Sequence, residues 1–522
     1  MLTYGLRREG AGTLQGQLYA LIRADVESGA IAAGERLPSK RALARHLGVS
    51  VITVEGAYGQ LVAEGYLESR ERRGFFAADI PHAPARHAIG PGALPADRAA
   101  SPGVLPANRA ASLGDGRAEG APKDKNIPLN CDDSAPNGVS SIEHTPPLPP
   151  VSSQALVADF SGGRPAEGMF PYAAWARTIR RVLADESEPT LLAASGSQGS
   201  LALRQALADH LRGLRGMAVD PSQIVVGAGA QTLYHLLVQL LGRDRRFAVE
   251  DPGYPRLAAT YRAEGVEVAP VALDAEGPSL GALRASGATV LHCMPSHQFP
   301  TGLVTPAPRR YELLAWAAEE PGRYLIEDDY DCEFRMAGRP LPSLQSIDGA
   351  ERVIYLNTFT KSLGAAFRIG YMVLPPHLAR AFVRDLDFHA CTVGALEQAA
   401  LARFIASGDY ERHVNRARTR HRRVRDALLD ALRATSAAER LTFEQVDAGL
   451  HFVMAVRGMD ASGQRGLVEC AARRGVRMAP LASYALGSSP DPSLTGRFLM
   501  AYGSLRDENV AEAARVIGDE CG

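Results

Sequence analysis

The sequence predicts two folded units of different class. A small α+β domain occupies residues 1–79 and a large α/β domain 156–522, joined by a long segment at 80–155. Three observations predict this. A chain of 522 residues exceeds the roughly 250–300 at which a single core stops growing. Between Phe76 and Phe160 there is no aromatic residue, and 13 of the chain's 34 prolines fall there, so that stretch has too little to bury and reads as a disordered linker. Before it apolar residues recur at helical spacing, and after it short apolar runs alternate with helical segments.

Composition narrows the function classes. With 57 basic and 58 acidic residues the formal charge is −1, so any contact with nucleic acid or an anionic membrane must be local. No run of about 18 apolar residues predicts a membrane span. The opening MLTYGLRREG lacks the apolar core of a secretory signal, and the six cysteines (131, 293, 332, 391, 470 and 521) form no CxxC pair. A reduced, cytoplasmic protein is expected. The linker repeats LPADRAAS as LPANRAAS, and two copies bury nothing between them, so this is drift in a Pro/Ala/Gly segment.

In the N-terminal unit, LQGQLYALIRADVESGAI sets Leu14, Leu18, Leu21 and Ile22 on one helical face, and Gly29 ends it. SKRALARHLG is a second helix capped by Ser39, with Leu43 and Leu47 together and Gly48 as the stop. Ser50 caps a third, which turns Val54, Tyr58, Leu61 and Val62 to a core. Two short helices joined by the tight turn LGVS make a helix-turn-helix, and YLESRERRGFFAA reads as two strands around a charged turn, a wing. A trihelical interaction domain with a hairpin is the other reading. The first 80 residues hold ten basic and nine acidic groups, but the cations are grouped. Lys40, Arg41 and Arg45 on the second helix and Arg70, Arg72 and Arg73 in the wing would meet phosphates on either side of the third helix. Base reading falls to Ser50, Val51 and Thr53, with Ser39 and Tyr58 completing the expected DNA-facing set.

In the C-terminal unit IVVGAG, RFAVEDPGY, TVLHCMP, RYLIEDDY and RVIYLNTFTK predict strands followed by polar residues, where an open sheet gathers its ligand. The glycines of QIVVGAGAQTLYHLL lead from a strand into a helix whose first N–H groups can hold a phosphate. Lys361 follows RVIYLN, with the hydroxyls of Thr358 and Thr360 nearby and Arg368 as a fork suited to a dianion. LIEDDYDCEF ends an earlier strand with Asp328 and Tyr330. Amine, carboxylate, phenol and phosphate cradle are what an aldehyde on a phosphorylated pyridine uses, and pyridoxal 5′-phosphate is such a molecule. Singly each residue has a plainer reading: Lys361 a solvated charge, EDDY a metal-binding cluster or loop, Tyr254 a turn aromatic, Arg497 a salt-bridge partner, Cys332 an inert small residue. His297 reads as structural, although PSHQFPTG follows a strand.

GAIAAGERLPSKRALARHLGVSVITVEGAYGQLVAEGYLESR resembles the winged helix-turn-helix of the GntR family of bacterial regulators, with Val51 where arginine is common and the wing tip shortened to RRG. From about 158 to 520 the chain resembles fold type I aminotransferases through SGSQGSLALRQALADHLRGLRG, GAGAQT, EDPGYPR, PSHQFPTG, IEDDYDCEF and TFTKSLGAAFRIGY. Together these identify it as similar to the MocR subfamily of GntR regulators. The resemblance implies Lys361 as the internal aldimine, Asp328 on the pyridine nitrogen, Tyr330 near the phenolic oxygen and Tyr254 stacked on the ring. It implies Ala230, Gln231, Thr358 and Arg368 as the phosphate cup, and Arg256 and Arg497 as receivers of an effector carboxylate. FPTG stands where the aminotransferases have NPTG, so His297 or Gln298 substitutes for the asparagine. A homodimer presenting two readers to paired half-sites of double-stranded DNA is implied, with no metal, and with pyridoxal phosphate or a small amine or amino acid as effector. A linker of about 75 residues spans ~45–50 Å, enough to dock on either subunit. The alternative is a working aminotransferase with an appended reader; an output domain suits a sensor better.

Overall fold

The computed structural model describes residues 2, 4–6, 13–70, 73–80, 156–162, 168–336, 341–487 and 491–521. The expected linker, save Ile80, and Arg72 of the wing lie outside the described residues.

The N-terminal helices are α1 (Leu14–Glu27), α2 (Lys40–Leu47) and α3 (Val51–Ala63). Each starts where a hydroxyl can serve an unpaired helix N–H: Thr13 accepts from Gly16 at 3.1 Å, Ser39 from Ala42 at 3.2 Å and Ser50 from Thr53 at 3.1 Å. Gly48 ends α2 in the left-handed region at φ 65°, which costs glycine little. The wing is the antiparallel pair β1 (Leu67–Arg70) and β2 (Gly74–Ala77). Leu18, Ile22, Leu43, Val54 and Leu61 fill the core. Tyr58 belongs there too, which corrects its expected place on the DNA face. It is fully buried, its hydroxyl donates to the Pro38 carbonyl at 3.0 Å, and its ring meets Phe75 edge-on at 4.9 Å. Its spacing from Val54 and Leu61 puts it on the inner face of the helix.

The large domain is built on eight strands: β3 (Ile224–Gly227), β4 (Arg246–Asp251), β5 (Glu267–Asp274), β6 (Gly277–Pro278), β7 (Val290–Cys293), β8 (Tyr324–Asp328), β9 (Val353–Thr358) and β10 (Gly370–Val373). They lie in the order β3-β10-β9-β8-β7-β4-β5-β6. From β9 through β8, β7 and β4 to β5 all neighbours are parallel, and β10 runs against both β9 and β3. Every residue of β3, β7, β8, β9 and β10 is buried, as expected of strands covered on both faces. Two helices position the site: α4 (Ala230–Leu241), which leaves β3, and α5 (Ala307–Glu319), which follows the loop after β7. A four-stranded antiparallel sheet near the C-terminus holds β11 (Leu441–Glu444), β12 (His451–Val456), β13 (Ala479–Pro480) and β14 (Arg497–Ala501), ordered β11-β12-β14-β13. The five cysteines among the described residues are all unpaired, and no helix is long and apolar enough to cross a membrane.

The N-terminal domain rests on α5. The Ala307 N–H donates to the Glu64 carbonyl at 3.0 Å, and one apolar cluster runs from Leu18 and Leu61 to Leu313 and Trp316. Gly65, at φ 80°, allows this approach, since a Cβ there would stand 3.1 Å from the Pro306 Cβ. The Glu64 side chain is buried, accepts from the Tyr19 hydroxyl at 2.5 Å and Gln60 at 2.9 Å, and has its pKa pushed up by burial. Because Ala307 is the first helical residue of α5, its N–H has no partner within the helix and proline is tolerated there. Ala307→Pro therefore spares helix α5 while it removes the interdomain hydrogen bond and sets a ring carbon against the Glu64 carbonyl. It is expected to leave the melting temperature within a few degrees while costing docking about 1 kcal/mol or more, read as faster amide exchange in α1 and α3 and a larger radius of gyration.

Candidate functional site

β8 and β9 end side by side at Asp328 and Thr358, and the chain turns at once into the one-turn helix Thr360–Leu363 that carries Lys361. This is the C-terminal edge of the parallel strands, where open sheets leave room for a ligand. The Lys361 Nζ lies 5.9 Å from the Tyr330 ring centroid. Burial pushes its ammonium below the ordinary lysine value, against the opposing pull of Asp331.

At one end of this edge are groups that can donate to an anion. Gly229 opens α4 at φ 83° without a side-chain cap, which leaves the first N–H groups at Ala230 and Gln231 for a ligand. Arg368, itself left-handed at φ 50°, lies across that helix start, its Nη2 donating to the Ala228 carbonyl at 3.0 Å. A Cβ on Gly229 would stand 2.9 Å from the guanidinium carbon. Only glycine permits that closeness. Thr358 is buried beneath, and Gln231 is exposed.

Asp328 is buried and accepts from the Tyr234 hydroxyl at 2.7 Å. The His292 Nε2 stands 3.4 Å away, and the other nitrogen of that ring is 2.8 Å from the Tyr261 hydroxyl. Tyr330 lies beside a third group. The His297 Nδ1 is 3.2 Å from the Tyr330 hydroxyl and 2.7 Å from the Asp331 carboxyl, which also accepts from the Leu450 N–H at 3.3 Å. His451, at the start of β12, stacks on His297 with centroids 4.0 Å apart. Burial, then His297 and Lys361, drive its imidazole to the neutral form. Both Nε2 atoms are buried without a partner among the described residues. Ligand-type atoms of His297, Asp331 and His451 come within 4.8 Å of one another. Within the trio His297 and Asp331 are hydrogen-bonded, and His451 is stacked on His297.

The remaining expected residues are spread around this centre. Tyr254 stands edge-on to Phe299 at 5.8 Å, and Phe299 in turn meets Tyr484 at 5.1 Å and His451 at 5.7 Å. Arg256 is exposed and makes no ion pair among the described residues, whereas Arg497 is engaged by Glu444. Sequence reasoning missed Tyr234, His292, Asp331 and His451 as supporting groups. Asp331 and Tyr234 lie inside motifs already notable, but His451, in GLHF, offers no local pattern. Two further supports are buried: an Arg215–Asp329 ion pair at 2.9 Å, and Glu250, which accepts from the Met294 N–H at 3.2 Å and Gln298 at 3.3 Å. Burial raises the Glu250 pKa to about 8.

Comparison with known proteins identifies both domains. Residues 163–517 match the family model "Aminotransferase class I and II", and residues 14–77 match "Bacterial regulatory proteins, gntR family". The HTH-type transcriptional regulator YhdI of Bacillus subtilis is 32% identical over 98% of this chain and 96% of its own. The HTH-type pyridoxine biosynthesis transcriptional regulator PdxR of Corynebacterium glutamicum is 31% identical over 96% of this chain and 95% of its own. Among solved structures, LysN, an alpha-aminoadipate aminotransferase from Thermus thermophilus complexed with N-(5′-phosphopyridoxyl)-L-leucine, matches with TM-score 0.59 and 26% identity, covering 70% of this chain and 92% of that one.

Glu250 gives a measurable pH signature. Its folded pKa, about 8, lies above the unfolded value, so its contribution to stability is complete below that unfolded value and is lost as pH rises through about 8. Glu250→Gln, which cannot titrate, is expected to flatten the fall in melting temperature between about pH 5 and 8 relative to the parent chain; equal slopes would contradict this.

Proposed function

Since the chain belongs to the MocR-type regulators, a gntR-family reader fused to an aminotransferase class I and II domain, we propose that it is a DNA-binding transcriptional regulator whose affinity for DNA follows pyridoxal phosphate, or an amine that reacts with it, at Lys361. The observation that carries this reading is the physical connection between recess and reader. His297 begins a loop that ends ten residues later at Ala307, the residue bonded to Glu64 of the reader. That loop is stiff. Gln298 N–H donates to Leu303, Gly302 N–H to Gln298 and Thr305 N–H to Pro295, at 2.8, 2.7 and 2.9 Å. The buried Arg310 clamps both its ends, donating to the carbonyls of Pro295 at 2.6 Å and Thr305 at 2.9 Å. A ligand that shifts His297 or Gln298 must therefore move the start of α5 or strain the clamp.

The residues of the recess fit the cofactor. The start of α4 and Arg368 offer N–H groups and a positive charge for a phosphate. Asp328, held by the Tyr234 hydroxyl, is ready to accept from a ring N–H. Burial keeps the Lys361 amine closer to its neutral, nucleophilic form. Tyr330 holds a proton well past the ordinary phenol range through burial and Asp331, and its hydroxyl lies 3.2 Å from the His297 Nδ1. The cofactor, when bound, supplies an aldehyde carbon that exchanges one amine for another. Arg256 is the free cation for an effector carboxylate, and the two unpartnered Nε2 atoms are acceptors for a donor group on the effector.

Two copies are expected to act together. Tyr172, Leu192 and Phe388 of the large domain are 74%, 76% and 77% exposed, large apolar side chains that a partner subunit would cover. Light scattering should give twice the chain mass.

The reading is tested by mixing the intact chain with pyridoxal phosphate, reducing with borohydride and mapping the product. A phosphopyridoxyl group on the peptide containing Lys361, lost in Lys361→Ala and at least tenfold weaker in binding for Arg368→Ala, is the expected result. An unmodified chain would overturn it. Amino-acid turnover near the ~10 per second of ordinary enzymes would favour a working aminotransferase instead.

A further inference from the structure

We infer that the recognition helix identifies thymine by its C5-methyl group, through Ile52 with Val51 beside it. The inference rests on the DNA-binding reading above and concerns what the first turns of α3 have left to offer. The Ser50 hydroxyl accepts from the Thr53 N–H at 3.1 Å and lies 2.8 Å from the Thr53 hydroxyl, so both hydroxyls are already engaged in starting the helix. Glu55, one turn on, holds the Lys40 ammonium at 2.6 Å. Gly56 has no side chain to offer. What projects outward is apolar. Val51 is 42% exposed and Ile52 78%, the most exposed large apolar side chain among the described residues.

A single exposed aliphatic needs no explanation. Here two adjacent ones occupy the turn that a helix-turn-helix inserts into the major groove. Exposed cations flank them: Arg41 and Arg45 on α2, Arg70 and Arg73 on the wing, Arg70 in part answered by Glu68. An apolar tip between two cationic margins matches a groove floor between two phosphate backbones, and does not match an apolar protein surface. In that groove thymine alone presents a methyl group. An isoleucine gains by burying the methyl, and penalises every other base by covering hydrogen-bonding edges it cannot satisfy. An arginine at the Val51 position would favour guanine instead.

The test isolates the methyl. Selection from a random duplex library with the intact chain, with and without pyridoxal phosphate, yields its sites, and each thymine is then replaced by 2′-deoxyuridine. Binding is read by fluorescence anisotropy at one fixed salt concentration. At one or two positions per half-site uracil is expected to weaken the parent chain about fourfold, the loss of one buried methyl. The penalty should fall to about 1.5-fold or less in Ile52→Ala or Val51→Ala. Both substitutions are at exposed positions and leave the core intact. A uracil penalty absent throughout, or undiminished in both variants, overturns the inference while leaving DNA binding standing. Failure to select any site overturns the DNA-binding reading itself.

Discussion

An amine held where its charge is disfavoured is the constraint on which the rest of this structure depends. A half-buried lysine whose amine is drawn away from water is costly, and the nearby carboxylate that opposes the shift, Asp331, is engaged by His297. Such an arrangement persists only if the surrounding fold determines it. The parallel strands do so by ending at Asp328 and Thr358 at one edge, so that the first turn after β9 carries Lys361 to the same edge, with its amine over the Tyr330 ring. Below that edge Tyr234 and His292 hold Asp328, and Arg215 pairs with Asp329. Removing one member of that ion pair would leave a charge buried, which is why such residues are structural even though they touch no ligand.

On the proposed function, the same edge is what links the small-molecule site to the reader domain. The loop after β7 does two jobs, holding His297 and Gln298 at the recess and presenting Ala307 to Glu64. Arg310 makes those jobs inseparable by fixing both ends of the loop to the same guanidinium. Coupling through such an element is bounded by the ligand's preference between two arrangements of the loop, whatever its total affinity. The reader domain carries its own economy. Its capping hydroxyls and its Lys40–Glu55 pair engage polar groups near the recognition turn, where Val51 and Ile52 are exposed.

Much of this was legible in the sequence because it is local. The caps Ser39 and Ser50, the continuous apolar runs YLIED and VIYLNT, and the glycines before α4 all state their structure within a few residues. Lys361, Asp328 and Arg368 converge because strand ends converge, a property of the fold class. What stayed hidden depends on distance along the chain. Tyr234 meets Asp328 across 94 residues, and Leu450 brings His451 to Asp331 across 119. β5 was missed because its burial is broken and a proline interrupts it, so it resembles neither a buried run nor a clean alternation. Tyr58 was expected on the DNA face for lying on the recognition helix, yet the helical period already placed it inward with Val54 and Leu61.

The central claim is that recess and reader share one equilibrium, and linkage makes the most direct measurement a reciprocal one. The affinity of the chain for pyridoxal phosphate should be measured by calorimetry with the reader free and with it saturated by a selected DNA duplex. The account predicts that DNA changes the cofactor affinity by about fivefold or more, and that the same factor appears when the order is reversed. Identical cofactor affinities with and without DNA would contradict it.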